Sequence, residues 1–356
     1  MTDTLTADFP DISDYPERLE ARHDGPIPKG FFEHIESHVV EFGVPVKRTS
    51  DGLRVAFAQS DVQLACGDDW LTVSIAAKSH IHLYQMRESV LYLLDHVLPD
   101  AANELFAGPD NQTPDVPPNF HHATVASVDR ISANFLRVEL DCDGVGALLH
   151  GGMHFTLLMP PRHRRPVWPV INEKGRTVWA EGEDALHRAA YTFVDLDAHN
   201  GRFTFDVFEH DGGRTTEWAR QAQPGDKVAV MGPGGGDFPP GNRLLMAGDE
   251  TALPAIRRIL EHSGPDRRGS VLLEIGDAAD RCELTVPEGI DVRWIMRGQG
   301  GSLWDALLEQ TVPEDRDDYF VWVAAEQEFV RKAKAHFRSE YALPRTQGYF
   351  SAYWAV

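Results

Sequence analysis

Apolar and polar positions follow three different rhythms along this chain. From Gly30 the run FFEHIESHVVEF repeats apolar residues at helical spacing and predicts an amphipathic helix. The runs LRVAFA, DVQLACG and WLTVSIAA are strand-like, and SDG at 50–52 and GDD at 67–69 punctuate them as turns. They predict a small antiparallel meander. RESVLYLLDHVLPDAANEL returns to the helical period, with Val90, Leu91, Leu94 and Val97 on one face. Residues 26–106 therefore read as a small α+β domain of helix, sheet and helix. Residues 1–25 are polar and acidic with Pro10 and Pro16, and read as a flexible lead-in. AGPDNQTPDVPPNF, residues 107–120, reads as a linker.

From 121 to 242 many short strands follow one another with turns between: ATVASVDRI, FLRVELDC, HFTLLMP, AAYTFVDLD, GRFTFDVFE and KVAVMGP. That pattern predicts a closed antiparallel barrel of Greek-key type. One helical interruption, GGRTTEWARQA, is expected to be capped by Thr215 or Thr216. From 243 to 356 strands and helices alternate, which predicts a parallel, doubly wound α/β lobe. The chain is thus expected to be multi-domain.

Charge narrows the function. The 356 residues carry 55 acidic and 34 basic side chains, a formal net charge of −21. Nucleic-acid backbones and anionic membrane surfaces need clustered cations, so neither partner is expected. Cys66, Cys142 and Cys282 lie far apart, which fits neither a disulfide framework nor an iron–sulfur or zinc site. The N-terminal sequence lacks the pattern of a signal peptide, and no run is long enough to span a membrane, so a cytoplasmic protein is expected.

Three stretches carry candidate chemistry. In HRAAYTFVDLD, Arg188, Tyr191 and Thr192 offer a cation, an aromatic ring and a hydroxyl on one strand, as a flavin would require. In FDVFEHDGGRTTEWARQAQPGD, a turn at Gly213 leads into a helix start with Thr215 and Thr216, where free N–H groups favour a pyrophosphate. The glycines of PGDKVAVMGPGGG either admit a cofactor closely or simply make turns. In RLLMAGDETALPAIRRIL, Gly248 ends a strand and Thr251 is expected to cap a helix with Pro254 in its first turn. Asp249 and Glu250 there either repel a dinucleotide or face away from it.

GDETALPAI, PGDKVAVMGPGG, the Tyr-Thr strand and Tyr353-Trp354 together resemble the siderophore-interacting protein family. The resemblance covers roughly residues 121–354. It implies a flavin reductase fold, bound FAD, NADH or NADPH as donor, and a ferric siderophore as substrate. By position it implies cofactor roles for Tyr191, Thr192, His210, Thr216, Trp218 and the segment from Gly248 through Asp249, Glu250, Thr251 and Ala252. The family's motif arginine is Ala189 here, with Arg188 one residue early; a second is Val194. A slip of one residue on a strand turns a side chain to the other face unless a bulge restores it.

A basic run, PRHRRP at 161–166, offers Arg162, Arg164 and Arg165 as a docking patch for an anionic iron chelate, or is a solvated loop. His154 either faces the flavin or belongs to the core. His34 and His38 share a helical face but do not form the zinc-protease order, and no resident metal is expected. Neither is any catalytic acid or base, since the redox chemistry would be the cofactor's. Two alternatives stay open: a flavin reductase with another acceptor, and a flavin-less binding or regulatory module.

Overall fold

The computed structural model describes residues 11–41, 44, 46–57, 59–106 and 115–355, without the side chains of 40, 41 and 103. Two compact units divide it. One holds the N-terminal 120 residues together with Arg164–Ala185, and the other holds His121–His163 and Leu186–Val356. No helix among the described residues is long and apolar enough to cross a membrane.

The first unit is an antiparallel five-stranded sheet under helices. Its elements are β1 (Glu17–Asp24), α1 (Phe31–Glu41), β2 (Val46–Arg48), β3 (Gly52–Ala56), β4 (Ser60–Cys66), β5 (Trp70–Ala77), α2 (His80–Val97) and α3 (Pro99–Glu104). The strand order is β1-β5-β4-β3-β2. Leu71, Val73 and Ile75 of β5 meet Ile35 of α1 and Leu91 and Leu94 of α2 in one apolar core.

Three expectations are corrected in this unit. The lead-in assigned to 1–25 contains β1, which pairs with β5 from Glu17↔Ala77 to Asp24↔Trp70. It is an edge strand whose outward positions are Arg18, Glu20, Arg22 and Asp24, and charge on an exposed edge blocks unwanted pairing. That charge disguised the strand. The second helix starts earlier, at His80, because the Ser79 hydroxyl accepts from the His82 N–H. It stops at Leu98, where Pro99 begins α3. Residues 1–10, and 107–114 of the expected linker, lie outside the described residues.

The second unit begins with β6 (Phe120–Arg130), β7 (Phe135–Cys142) and β8 (His154–Met159). The chain then leaves on an excursion carrying β9 (Val170–Ile171) and β10 (Thr177–Val178). It returns as β11 (His187–Thr192), β12 (Asp195–Asp197), β13 (Arg202–Phe208), α4 (Arg214–Ala219) and β14 (Lys227–Gly234). The sheet order is β11-β8-β14-β6-β7-β13-β12. The expected closed barrel is thus a curled antiparallel sheet that ends on β11 and β12. Phe155, Phe193, Phe203 and Phe205 fill its concave side in edge-to-face and stacked pairs.

After it come β15 (Arg243–Gly248), α5 (Leu253–Glu261), β16 (Arg268–Ile275), β17 (Gly289–Met296), α6 (Leu303–Leu308), β18 (Tyr319–Glu326), α7 (Gln327–Glu340) and β19 (Gly348–Trp354). These strands form a parallel sheet in the order β17-β16-β15-β18-β19. The α5 helix packs on one face, with Met246 and Trp322. The α6 and α7 helices pack on the other, with Leu245 and Val321. Strand order reverses beside β15, and ligands of such sheets bind at the carboxyl end of the strands there.

The excursion 164–185 belongs to the first unit, not to the strand domain expected over 121–242. Arg87 on α2, 6% exposed, donates to the Gly175 carbonyl at 2.6 Å. Thr177 donates to Glu88 at 2.8 Å and shares a hydrogen bond with the Tyr84 hydroxyl. Arg176 pairs with Asp95 at 2.5 Å. Replacing Arg87 with Met leaves the Gly175 carbonyl without its buried donor. The expected cost is about 1–3 kcal/mol in urea unfolding, with faster proteolytic cleavage between 172 and 176. Unchanged stability and cleavage would show that the excursion is not held by this bond.

Candidate functional site

The strand RLLMAG is apolar after Arg243 and ends at Gly248, where the chain is too tight for a side chain. A Cβ on Gly248 would fall 2.5 Å from the Ala252 Cβ and 2.9 Å from the Ala324 carbonyl. Asp249 then turns inward. Its Oδ1 accepts from the Thr251 N–H at 2.9 Å and the Thr251 hydroxyl at 2.5 Å. Its Oδ2 accepts from Trp354 Nε1 at 2.8 Å and the Glu326 N–H at 3.2 Å. Glu250 turns inward as well. It takes a two-bond grip from Arg297 at 2.9 and 2.7 Å and the Gly276 N–H at 2.7 Å.

Both acids of the GDETA turn are therefore buried and internally paired, at 4% and 2% exposure. Both carboxylates thus point into the fold and spend their acceptor capacity on the protein's own donors. Burial still pushes the Asp249 carboxyl up from its ordinary value, against the pull of the Thr251 and Trp354 hydrogen bonds. Thr251 is not the cap that was expected. Asp249 caps a short 3-10 turn over Glu250–Ala252, and α5 follows with Pro254 in its first turn. The aspartate wins because its carboxylate can take both Thr251 donors at once.

On β11 the ladder to β8 is regular from His187↔Met159 to Thr192↔His154, so no bulge restores the slipped arginine. Ala189 and Tyr191 pack against the aromatic core of the sheet, while Arg188 and Thr192 share the other face. The expected grouping of Arg188 with Tyr191 is thereby corrected. Tyr191 packs 5.0 Å from Phe205, and burial raises its hydroxyl pKa against a hydrogen bond from Thr215. Thr192 shares a 3.1 Å hydrogen bond with His154 Nδ1, and His154 Nε2 reaches the Tyr353 hydroxyl at 3.3 Å. Gly235, at φ +73°, exists because a Cβ would lie 2.5 Å from the His154 ring. That part of the glycine-rich exit admits the protein's own side chain.

At α4 the expected threonine cap is absent. Gly213 is the N-cap and no side chain caps the helix, while Thr215 and Thr216 lie buried within it. The Thr216 hydroxyl accepts from the His210 N–H at 3.3 Å, and Thr215 meets His187 Nε2 at 3.4 Å. Trp218 is half-buried against the sheet core. A helix start without a side-chain cap leaves N–H donors for a phosphate, and Tyr191 and Thr192 lie on the sheet these threonines pack against. This donor set fits a flavin dinucleotide. Of the three basic candidates, Arg164 is neutralised by Glu183 at 2.9 Å and Asp184 at 2.8 Å. Arg162 bonds to Gln221, and Arg165 is exposed. Among the described residues no group of three or more His, Cys, Asp or Glu is placed to hold a metal.

Sequence reasoning missed Arg297, which no motif marks, and it left His154 undecided. His154 is 9% exposed and bonded at both nitrogens. Burial first, then the charge of Arg258, pushes its pKa down to about 4 from the ordinary 6.5. A histidine held neutral by the fold gives stability that is fully present above 6.5. It is lost as pH falls toward 4, because only the unfolded chain takes up the proton. The loss is expected to reach about 3 kcal/mol across that window. In His154→Gln this part of the acid sensitivity should vanish; denaturant unfolding at stepped pH reads it. A wild type equally stable at both ends of the window would contradict the assignment.

Residues 241–356 match the family model described as siderophore-interacting protein, and residues 124–237 match the siderophore-interacting FAD-binding domain. The chain is 33% identical over 244 residues to an NADPH-dependent ferric-chelate reductase of Escherichia coli, covering 66% of this chain and 92% of that protein. It is 30% identical over 232 residues to the ferric vibriobactin reductase ViuB of Vibrio cholerae, covering 63% and 85%. Among solved structures, a siderophore utilization protein from T. fusca aligns at TM-score 0.59 and 28% identity, over 68% of this chain and 95% of that one. The siderophore-interacting protein SipS from Aeromonas hydrophila aligns at TM-score 0.57 and 24% identity, over 67% and 92%. With its flavin-type sheet, its paired-acid turn and these matches over both, the chain belongs to the siderophore-interacting protein family.

Proposed function

We propose that this flavoprotein oxidoreductase reduces ferric siderophores, drawing electrons from NADPH or NADH through FAD and releasing ferrous iron in the cytoplasm. The observation that carries this reading is the reach of one strand to both halves of the site. In β19, Tyr353 bonds to His154, the partner of Thr192, and the next residue, Trp354, bonds to Asp249. β19 thus ties the Thr192 strand to the turn at Asp249, which supports a reading in which hydride passes between ligands held there. The names of the Escherichia coli and Vibrio cholerae relatives support the ferric acceptor.

FAD, when bound, supplies the exchange of a hydride pair for single electrons that iron requires. The protein's part is binding and orientation. Tyr191 and Thr192 hold the ring, and the uncapped start of α4 at Gly213, with Thr215 and Thr216, holds the pyrophosphate, His210 and Trp218 bracketing it. The turn from Gly248 to Ala252 receives the nicotinamide nucleotide, with Asp249 and Glu250 already paired and so unable to repel its phosphates at full strength. Arg162 of the second unit attracts an anionic chelate, whereas Arg164 and Arg165 belong to the first unit and Arg164 carries its own counter-ions. Arg188 lies on the Thr192 face of β11, four residues along the strand, and is not assigned the motif arginine's place beside Tyr191.

The test is anaerobic. The FAD-loaded chain is bleached with NADPH or NADH and then mixed with a ferric siderophore beside a ferrous-specific chelator. Roughly two ferrous ions per flavin are expected, one for each electron. Reoxidation by quinone or free flavin, with none by ferric chelates, would assign a different acceptor and overturn the proposal. Thr192→Ala should weaken FAD binding about tenfold, the worth of about one hydrogen bond, in a fluorescence titration. Unchanged affinity would remove it from the site.

A further inference from the structure

Arg258 on α5 is buried at 8% exposure, and no carboxylate forms an ion pair with it among the described residues. Its Nε has no hydrogen-bond partner. Nη1 reaches the Val194 carbonyl only at 3.4 Å, and the Phe238 ring centre lies 5.9 Å from Cζ. Other buried or half-buried arginines of this unit differ. Arg257, the preceding residue, reaches Asp206 and Glu261, Arg137 grips Asp206 with two bonds, and Arg297 grips Glu250 with two. A guanidinium buried without a counter-ion is costly, and a fold keeps one where an anion will meet it or where its field is used.

Its surroundings say where the field acts. Val194 follows Thr192 by two positions on the chain that leaves β11, and Thr192 is held by His154. Arg258 is near enough to help keep His154 neutral, while Glu261 and Asp195 act on Arg258 only at longer range. A positive charge therefore stands at the chain segment that follows Thr192, and its field reaches the imidazole that holds the hydroxyl assigned to the flavin ring. Addition of a hydride to oxidised flavin brings two electrons and one proton to the ring, and so leaves one added negative charge.

Resting on the flavin reading above, we propose that Arg258 is the buried positive charge that favours the reduced, anionic flavin beside Thr192 and so raises its reduction potential. It acts as a positioning charge through space, not as a group that exchanges protons. The competing role is purely structural, a prop for the Val194 carbonyl, and Arg258→Gln separates the two because glutamine can still donate to that carbonyl but has no charge.

The experiment measures the flavin midpoint potential of the full chain by anaerobic dye equilibration, with FAD affinity measured in parallel. Arg258→Gln is expected to lose about tenfold in preference for reduced over oxidised flavin, a fall of about 30 mV for a two-electron couple. Arg258→Lys, which keeps the charge, should stay close to the wild type. A folded, FAD-loaded Arg258→Gln with the wild-type potential would overturn the inference and leave the flavin reading standing. So would an Arg258→Lys whose potential falls as far as that expected for the glutamine variant, and this arm decides the matter if the glutamine variant does not fold. A wild type that binds no FAD would overturn both.

Discussion

The second unit depends on a carboxylate that is buried and fully paired. Asp249 collects donors from its own turn, from the start of α7 through the Glu326 N–H, and from the indole of β19. Taking one carboxylate out of water costs several kcal/mol, and only a complete set of donors offsets that. The requirement fixes where β15, β18 and β19 end relative to one another. Beside it, Glu250 repeats the arrangement with Arg297, tying β15 to β16 and β17. A dinucleotide site at a strand switch point needs such rigidity, because its donors must already be in place when the ligand arrives.

This pairing reconciles a chain of net charge −21 with anionic cofactors. The acids nearest the candidate nucleotide turn spend their field on internal donors. Arginines are treated in the opposite way at two points: Arg258 is buried without a carboxylate, and Arg165 is left exposed. The long-range field of the protein is negative, but the local one is set by which charges have been paired off.

Much of this was legible in the sequence. Alternating strands and helices gave the parallel lobe because β15 and β18, buried on both faces, read as continuous apolar runs. What escaped was whatever depended on contacts distant in sequence. β1 hid because its outward positions are charged, and its inward Leu19 and Ala21 are too few to set a pattern. The excursion 164–185 looked like part of the strand domain because nothing local shows that Arg87 and Tyr84, some ninety residues earlier, receive it. Thr251 looked like a cap because caps are read from residue type, whereas Asp249 had the stronger acceptor. Arg188 could be judged from strand parity alone, and the regular β11–β8 ladder decided it.

The role of the first unit is not written in the motifs of the second, and the matched family segments begin only at residue 124. Everything functional here rests on a flavin held along Tyr191, Thr192 and the start of α4, although Ala189 stands where the family carries an arginine. The absorbance spectrum of the purified full chain, before and after incubation with FAD and removal of the excess, addresses this most directly. The account predicts flavin bands retained at about one FAD per chain. A folded protein that stays colourless after that treatment would contradict it.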